Sequence, residues 1–358
     1  MKTYDVCIIG GGAAGMAAAA SIDIGIKRCI VEKNSILGRK ISATGGGRCN
    51  ITNEACSNRE IVLEFFKSRG LEVYSDSEGR YYPYSNQASD VVKILEMSSE
   101  SLGTEFITGF AVTGIIRDGE CFKVTDGSRT IKTRNVILAA GGKAAPHLGT
   151  TGDGYSMALK LGHSIEKVYP VLTGIECGDF RSIKGVRAKG TVNLYKDNRL
   201  VRSESGEVQF TEDGISGICV FNLTLDIRTE KGEDFRKALS RYHVVLDMAP
   251  DFTEDEIRNR KSSFGILSEK LSAQVPVSMI KCWKLPVKGV KGWKNAQCTG
   301  GGIKIDEIDM STMESRIVPG LYIAGEIMDI QGPCGGFNLQ NAWETGIRAA
   351  ESINRKYR

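Results

Sequence analysis

The chain has 358 residues, a formal net charge of +4 and ten cysteines. Charged residues at 25% and apolar residues at 41% are ordinary globular values, which excludes a disordered or fibrous protein. The length predicts about two or three domains with ample core, and the small charge favours anionic ligands weakly without implying nucleic acid. The most apolar window, 5–22, is broken by glycines, so no membrane span is expected. No basic n-region precedes the first strand. No signal peptide is therefore expected, and a cytoplasmic location with reduced thiols follows. The cysteines form no C-x-x-C pair and the three histidines no H-x-x-x-H, so no metal site is expected.

Residues 4–9 read as a buried strand running into Gly10-Gly11-Gly12-Ala13-Ala14-Gly15. An alanine-rich helix follows at 16–20, and a second strand, 28–31, ends at Glu32. This is a G-x-G-x-x-G turn in the context that dinucleotide binding requires. Gly10 allows the tight turn, Gly12 lets the backbone approach a pyrophosphate, and Gly15 lets helix and strand pack closely. The diphosphate would sit on free N–H groups at the helix N-terminus. Glu32 would accept ribose hydroxyls and repel a 2′-phosphate, which disfavours NADP; FAD and NAD remain open on this turn.

The run 36–53 holds four glycines, three cations and several small polar residues. It has too little apolar surface for a core element and reads as an anion cradle of glycine-turn N–H groups with Arg39, Lys40 and Arg48 nearby. Helices are expected at 60–69 and 87–101, capped by Ser85 or Asn86. A β-meander is expected over 104–134, with turns at 118–119 and 126–127. An apolar strand, 135–140, ends in Gly141-Gly142, and a helix is expected at 155–162. The insertion, 169–295, shows strand patterns at 190–195, 199–210 and 243–248 and a helical stretch at 252–272. Its lysines 281, 284, 288, 291 and 294 interleave with Trp283 and Trp293, a mixture used on single-stranded nucleic acid. Irregular spacing and Pro286, Gly289 and Gly292 break that face, so no nucleic-acid partner is expected. Leu321–Ala324 is the last core strand, and a helix runs through 339–353.

The segment GRKISATGGGRCNITN resembles the hallmark of a flavoprotein family that contains BaiN-like 3-dehydro-bile-acid reductases and aminoacetone oxidases. GRYYPYSNQASDVV (79–92), VILAAGGKAAPHLGTTGDGY (136–155), FTEDGISG (210–217), AQCTGGGIKI (296–305) and residues 318–346 resemble further family blocks, in family order. Two departures stand out: the middle portion is shorter than is typical, and residues 170–205 match only loosely.

The resemblance implies an α/β fold, with a Rossmann-type FAD-binding domain (doubly wound sheet plus β-meander) over 1–168 and 296–358. A β-rich inserted domain carrying a short helical piece, 169–295, would cover the flavin. It implies FAD held by the first turn (Gly10, Gly12, Ala13, Ala14, Gly15) and by Glu32 and Lys33. The cradle residues expected on the cofactor are Gly38, Arg39, Lys40, Ser42, Thr44, Gly45, Gly46, Gly47, Arg48, Cys49 and Asn50. Val112 stands where family members touch adenine through the backbone. Ala140, Gly141, Gly142, Gly325, Glu326 and Asp329 are expected nearby. Gly335, Gly336, Phe337, Asn338, Leu339 and Gln340 form the turn before the last helix. Its N-terminus would stabilise charge on the reduced flavin by roughly 0.3–2 kcal/mol. Gly335 and Gly336 are expected to leave no room for a Cβ, from positive φ or close approach to the ring.

The implied activity is hydride exchange with a small-molecule substrate. NAD(P)H is a candidate transient donor, and reduction of a conjugated enone the first reading. An oxygen-using amine oxidase and a flavin-binding or RNA-modifying protein are the alternatives. No catalytic acid or base stands out, and the oligomeric state is open. Closely spaced cysteine pairs are absent, so a relay between Cys49 and Cys334 is not expected. Tyr81 and Tyr82 are expected to pack rather than to orient substrate.

Overall fold

Residues Lys2–Ile9 form β1, whose inner half is a continuous apolar run because helices cover a parallel sheet on both faces. Helix α1 (Ala13–Ala19) is nearly all alanine and glycine, which lets it lie close against the sheet, and β2 (Arg28–Glu32) returns parallel to β1. The computed structural model describes residues 1–228 and 234–358. The chain divides into one unit of Met1–Tyr169 with Cys298–Arg358 and another of Pro170–Gln297, each with its own apolar core.

In the first unit the run after β2 is not all loop. It holds a five-residue helix, α2 (Arg39–Ala43), then a 3-10 turn at Thr44–Gly47. Ile41 supplies the apolar anchor that the composition of this run hides, being 1% exposed. β3 (Thr52–Asn53), α3 (Arg59–Lys67), β4 (Val73–Ser75) and β5 (Arg80–Pro83) follow, the strands forming a small antiparallel sheet. Helix α4 (Ala88–Ser101) starts from Gln87 without a side-chain cap; the carboxamide of Asn86 instead accepts the Tyr74 hydroxyl. β6 (Glu105–Thr108) pairs parallel to β2, and the expected meander is β7 (Gly114–Asp118), β8 (Cys121–Thr125) and β9 (Thr130–Leu138). Helix α5 (Asp153–Lys160) and β10 (Ile165–Val171) complete this part.

The second unit is built on an antiparallel sheet. Its strands are β11 (Ile175–Glu176), β12 (Arg187–Lys196), β13 (Arg199–Phe210), β14 (Gly214–Ser216), β15 (Tyr242–Asp247), β16 (Trp283–Pro286) and β17 (Gly289–Val290). Between them lie α6 (Ile218–Leu223), α7 (Phe235–Leu239), α8 (Glu254–Arg258) and α9 (Glu269–Ser272). The continuous helix expected over 252–272 is therefore two short ones. Thr253 and Glu256 make a full capping box that starts α8. The break follows where Ser263 donates its hydroxyl to the Val275 carbonyl and Gly265 adopts φ +96°. The lysine–tryptophan stretch is internal in part. Lys281 donates to the Ala249 and Phe252 carbonyls, Lys291 pairs with Asp213, and Trp283 packs on Phe180 and Phe210.

The chain returns through β18 (Cys298–Ile303) and β19 (Leu321–Ile323) to α10 (Phe337–Tyr357), longer at both ends than the sequence pattern predicts. The main sheet runs β6-β2-β1-β9-β8-β7, and β19 lies parallel to the second half of β9. All its parallel strands point the same way, so the turns after β1, β2, β9 and β19 gather at one edge, where α/β sheets bind ligands. Helix α10 crosses α1 so closely that a Cβ at Gly346 would stand 2.2 Å from the Ala14 carbonyl oxygen.

Candidate functional site

The first turn has the expected shape. Gly10 has φ +107°, and a Cβ there would stand 2.4 Å from the Ala139 carbonyl oxygen. A Cβ on Gly15 would stand 1.9 Å from the Gly10 oxygen, so only glycine permits this helix–strand contact. At Gly12 a Cβ would meet nothing within 4 Å. The space in front of α1 is open, and the first N–H groups, from Gly12, Ala13 and Ala14, have no partner inside the helix.

Glu32 lies at the end of β2 with one oxygen accepting the Gly11 N–H at 2.8 Å and the other the Asn34 N–H at 2.8 Å and side chain at 2.6 Å. The carboxylate thus fixes the turn and keeps a lone pair for a ribose hydroxyl. The Phe110 and Gly109 N–H groups donate to the Glu32 and Asn34 carbonyls, which brings the segment containing Val112 alongside. Lys33 donates to Thr151 and pairs with Asp153 at 2.6 Å.

Gly38 has φ +66° and donates to the Gly11 carbonyl, which ties the cradle to the first turn. The hydroxyls of Ser42 and Thr44 bond the Gly38 and Ile41 carbonyls. Gly45, Gly46 and Gly47 all have positive φ, and beside the last two there is open space. The three cations hold the cradle and face groups of the chain itself. Arg39 donates to Asn34 and to the His147 carbonyl, Arg48 stacks over Tyr82 at 4.4 Å, and Lys40 pairs with Glu326 at 2.5 Å. Burial alone would lower the Lys40 ammonium; Glu326 and the nearby Cys298 override it and hold it above its ordinary value.

Cys49 is fully buried, and burial pushes its thiol up to about 12. That removes the low-pKa thiolate a relay requires. Tyr82 is also buried, as a packing residue.

At the second turn Gly141 has φ +72°, and a Cβ on Gly142 would stand 2.3 Å from Thr299 Oγ1 and 2.9 Å from Glu326 Oε1. Ala140 lies against Gly154, and Gly325 against Ala14. Asp329 accepts from the Gln331 side chain.

In the turn before α10, Gly335 and Gly336 have φ +116° and +104°. A Cβ on Gly336 would stand 2.5 Å from the Thr52 oxygen and 2.9 Å from Asn50 Oδ1, so the close approach visible here is to the chain itself. Asn338 bonds back to Gly332 with both ends of its carboxamide, and Phe337 covers Gly332. Leu339 packs on the core. Gln340 is held by the Thr52 hydroxyl, the Asn58 carbonyl and Glu344.

Sequence reasoning misses three residues. Asn34 bridges Glu32 and Arg39. Thr299 accepts the Lys143 and Ala144 N–H groups at 2.7 and 3.0 Å. Asn53 donates to the Gly335 carbonyl. Thr299 and Asn53 act through segments distant in sequence, and Asn34, though it bridges near neighbours, belongs to no recognisable motif.

This edge fits FAD. The open space at Gly12, Gly46 and Gly47 leaves room for a ligand against bare backbone, and the buried Asn50 Oδ1 lacks a hydrogen-bond partner that an N–H donor could supply. No helix among the described residues is long and apolar enough to cross a membrane.

The family described as HI0933-like protein Rossmann domain matches residues 56–352. A 3-dehydro-bile acid delta(4,6)-reductase of Clostridium scindens is 33% identical, over 96% of this chain and 98% of that protein. A ribosomal RNA dihydrouridine synthase of Escherichia coli is 25% identical over 99% and 98%. The alignment to the clostridial protein runs over 406 positions, so that protein has residues for which this chain has none. Among solved structures, a 3-ketosteroid delta1-dehydrogenase from Sterolibacterium denitrificans shares the fold, with TM-score 0.55, 12% identity and coverage of 99% and 100%. The turn, the cradle and these likenesses agree: the chain belongs to the HI0933-like Rossmann-domain family and is a FAD-dependent oxidoreductase.

Proposed function

We propose that the enzyme reduces a carbon–carbon double bond conjugated to a carbonyl in a small molecule, with NAD(P)H as donor. In balance, NAD(P)H and one proton are consumed, hydride adds to the β-carbon and the proton to the α-carbon, and NAD(P)⁺ leaves. One observation sets the kinetic order of this reading. Among the described residues a single glycine-rich strand–turn–helix leads to an acid-terminated parallel strand, while the second unit is antiparallel. A nicotinamide donor then has no dinucleotide fold of its own and must alternate with the substrate, which gives ping-pong kinetics. Bound flavin supplies the hydride exchange. The chain's residues bind and orient: the α1 N–H groups take the diphosphate, Glu32 the ribose, and the turn before α10 the far end of the cofactor. The clostridial relative, named for a delta(4,6)-reduction, supports this reaction class.

Anaerobic stopped-flow tests it. Flavin colour should bleach with NAD(P)H and return on adding an enone. Bleaching by aminoacetone with fast recovery in air, and no response to NAD(P)H, would establish an amine oxidase instead.

A second reading rests on the Escherichia coli relative, named for making dihydrouridine in ribosomal RNA. The uracil 5,6-double bond is conjugated to a carbonyl, so the same chemistry serves. Mass spectrometry of ribosomal RNA from cells lacking this protein separates the two. Loss of a dihydrouridine supports the RNA substrate, and an unchanged RNA supports the small molecule.

A further inference from the structure

Lys40 belongs by sequence to an anion cradle, yet its ammonium faces a carboxylate of the same chain. The two side chains are only 24% and 20% exposed. The other oxygen of Glu326 accepts the Thr299 N–H at 2.9 Å. Thr299 Oγ1 in turn accepts the Lys143 and Ala144 N–H groups. This chain of bonds joins four segments that meet only in the fold: α2, the turn after β19, the start of β18, and the turn after β9. Gly142 has to be glycine for them to close on one another, since its Cβ would collide with both Thr299 and Glu326.

A lysine meant to neutralise a diphosphate gains by being free to reach it. Here the pair is locally neutral, and its electrostatics are committed before any ligand arrives. Removing one partner of a poorly solvated pair leaves an uncompensated charge and costs more than removing both.

We propose that Lys40 and Glu326 act as one neutral brace. They are positioning residues that set the register of α2 and the Gly141-Gly142 turn around the flavin, and Lys40 is not a diphosphate countercharge. The proposal rests on the flavin assignment and is independent of which substrate is reduced.

The test is a double-mutant cycle of Lys40→Met, Glu326→Gln and the pair together, with Lys40→Arg as the conservative variant. FAD affinity of the wild-type protein is measured first, so that failure of the flavin assignment shows separately. Each variant is then titrated with FAD and with ADP, which has the diphosphate but no isoalloxazine, and the absorption band of bound flavin is recorded. Each single variant should lose about tenfold or more in FAD affinity and shift the flavin band. The double variant should regain most of the loss, Lys40→Arg should restore the band, and ADP affinity should stay within about threefold. If a single variant does not fold, a double variant that folds and binds FAD still supports the brace. Glu326→Gln behaving as wild type, with Lys40→Met and the double variant losing FAD and ADP affinity alike, would overturn it. A folded double variant that binds neither ligand would overturn it too.

Discussion

Asn53 donates its side-chain N–H to the Gly335 carbonyl at 2.9 Å, across 282 positions of sequence. The strand that follows the glycine cradle therefore holds the turn that starts α10. The neighbouring Thr52 hydroxyl donates to Gln340 at 2.6 Å, one helical turn further on. The cradle and the turn before α10 are thus hydrogen-bonded to one another, so a change in one bears on the other.

Gly336→Val places a Cβ against the Thr52 backbone at a φ of +104°. Left-handed strain and the clash together should cost roughly 2–4 kcal/mol. The variant should melt several degrees lower and retain little FAD after gel filtration. Unchanged melting temperature and flavin content would show that the turn has slack.

Glu32→Ala removes the acceptor for Gly11 and Asn34 as well as for a ribose. Charge-assisted hydrogen bonds of this kind contribute roughly 1.5–3 kcal/mol, which corresponds to roughly ten- to hundredfold weaker FAD binding. Wild-type protein should be yellow and release FAD on heating, and equilibrium dialysis of the variant gives the ratio. Equal affinity in the two proteins would remove Glu32 from the site.

Cys49 should resist alkylation. Its thiol is buried and pushed up to about 12, so almost no thiolate is present at pH 8. Iodoacetamide should modify the exposed Cys282 of the native protein first, as read by peptide mass spectrometry. Labelling of Cys49 at a comparable rate would mean that the cradle opens readily.

His163 gives a pH prediction. It is buried between Glu307 and Ser315, at 3.1 and 2.9 Å. Burial holds its pKa below the ordinary value, although Glu307 pulls the other way. The unfolded chain then binds more protons than the folded one below about pH 6.5, so stability is full above that pH and falls as pH drops through the window. Glu307, itself held below its ordinary value, adds a loss of the same sign at lower pH. Urea unfolding at pH 7.5 and 5.5 should show the decrease, and His163→Gln should flatten it between those two values. A wild-type protein more stable at pH 5.5 contradicts the assignment.

The β1–α1–β2 unit was legible because its signals are local: an apolar run, three glycines at fixed spacing and an acid at a strand end. The meander and α4 were legible for the same reason, through alternation and helical period. Residues 252–272 were not, because the Ser263 hydroxyl bonds the Val275 carbonyl, a contact that a continuous helix would hold apart. Lys40 illustrates the limit within the site. Its charge and loop are plain in the sequence, but its partner comes from a turn 286 positions away.

The packing of α10 on α1 also bears on how the protein is made. Asn354 bonds Asp23 across 331 positions, and Gly346 abuts Ala14. While a ribosome is still producing the antiparallel unit, the alanine-rich face of α1 has nothing to cover it. Contacts of such long sequence separation fold slowly. The contact between α1 and α10 can therefore close only after the inserted unit has been synthesised.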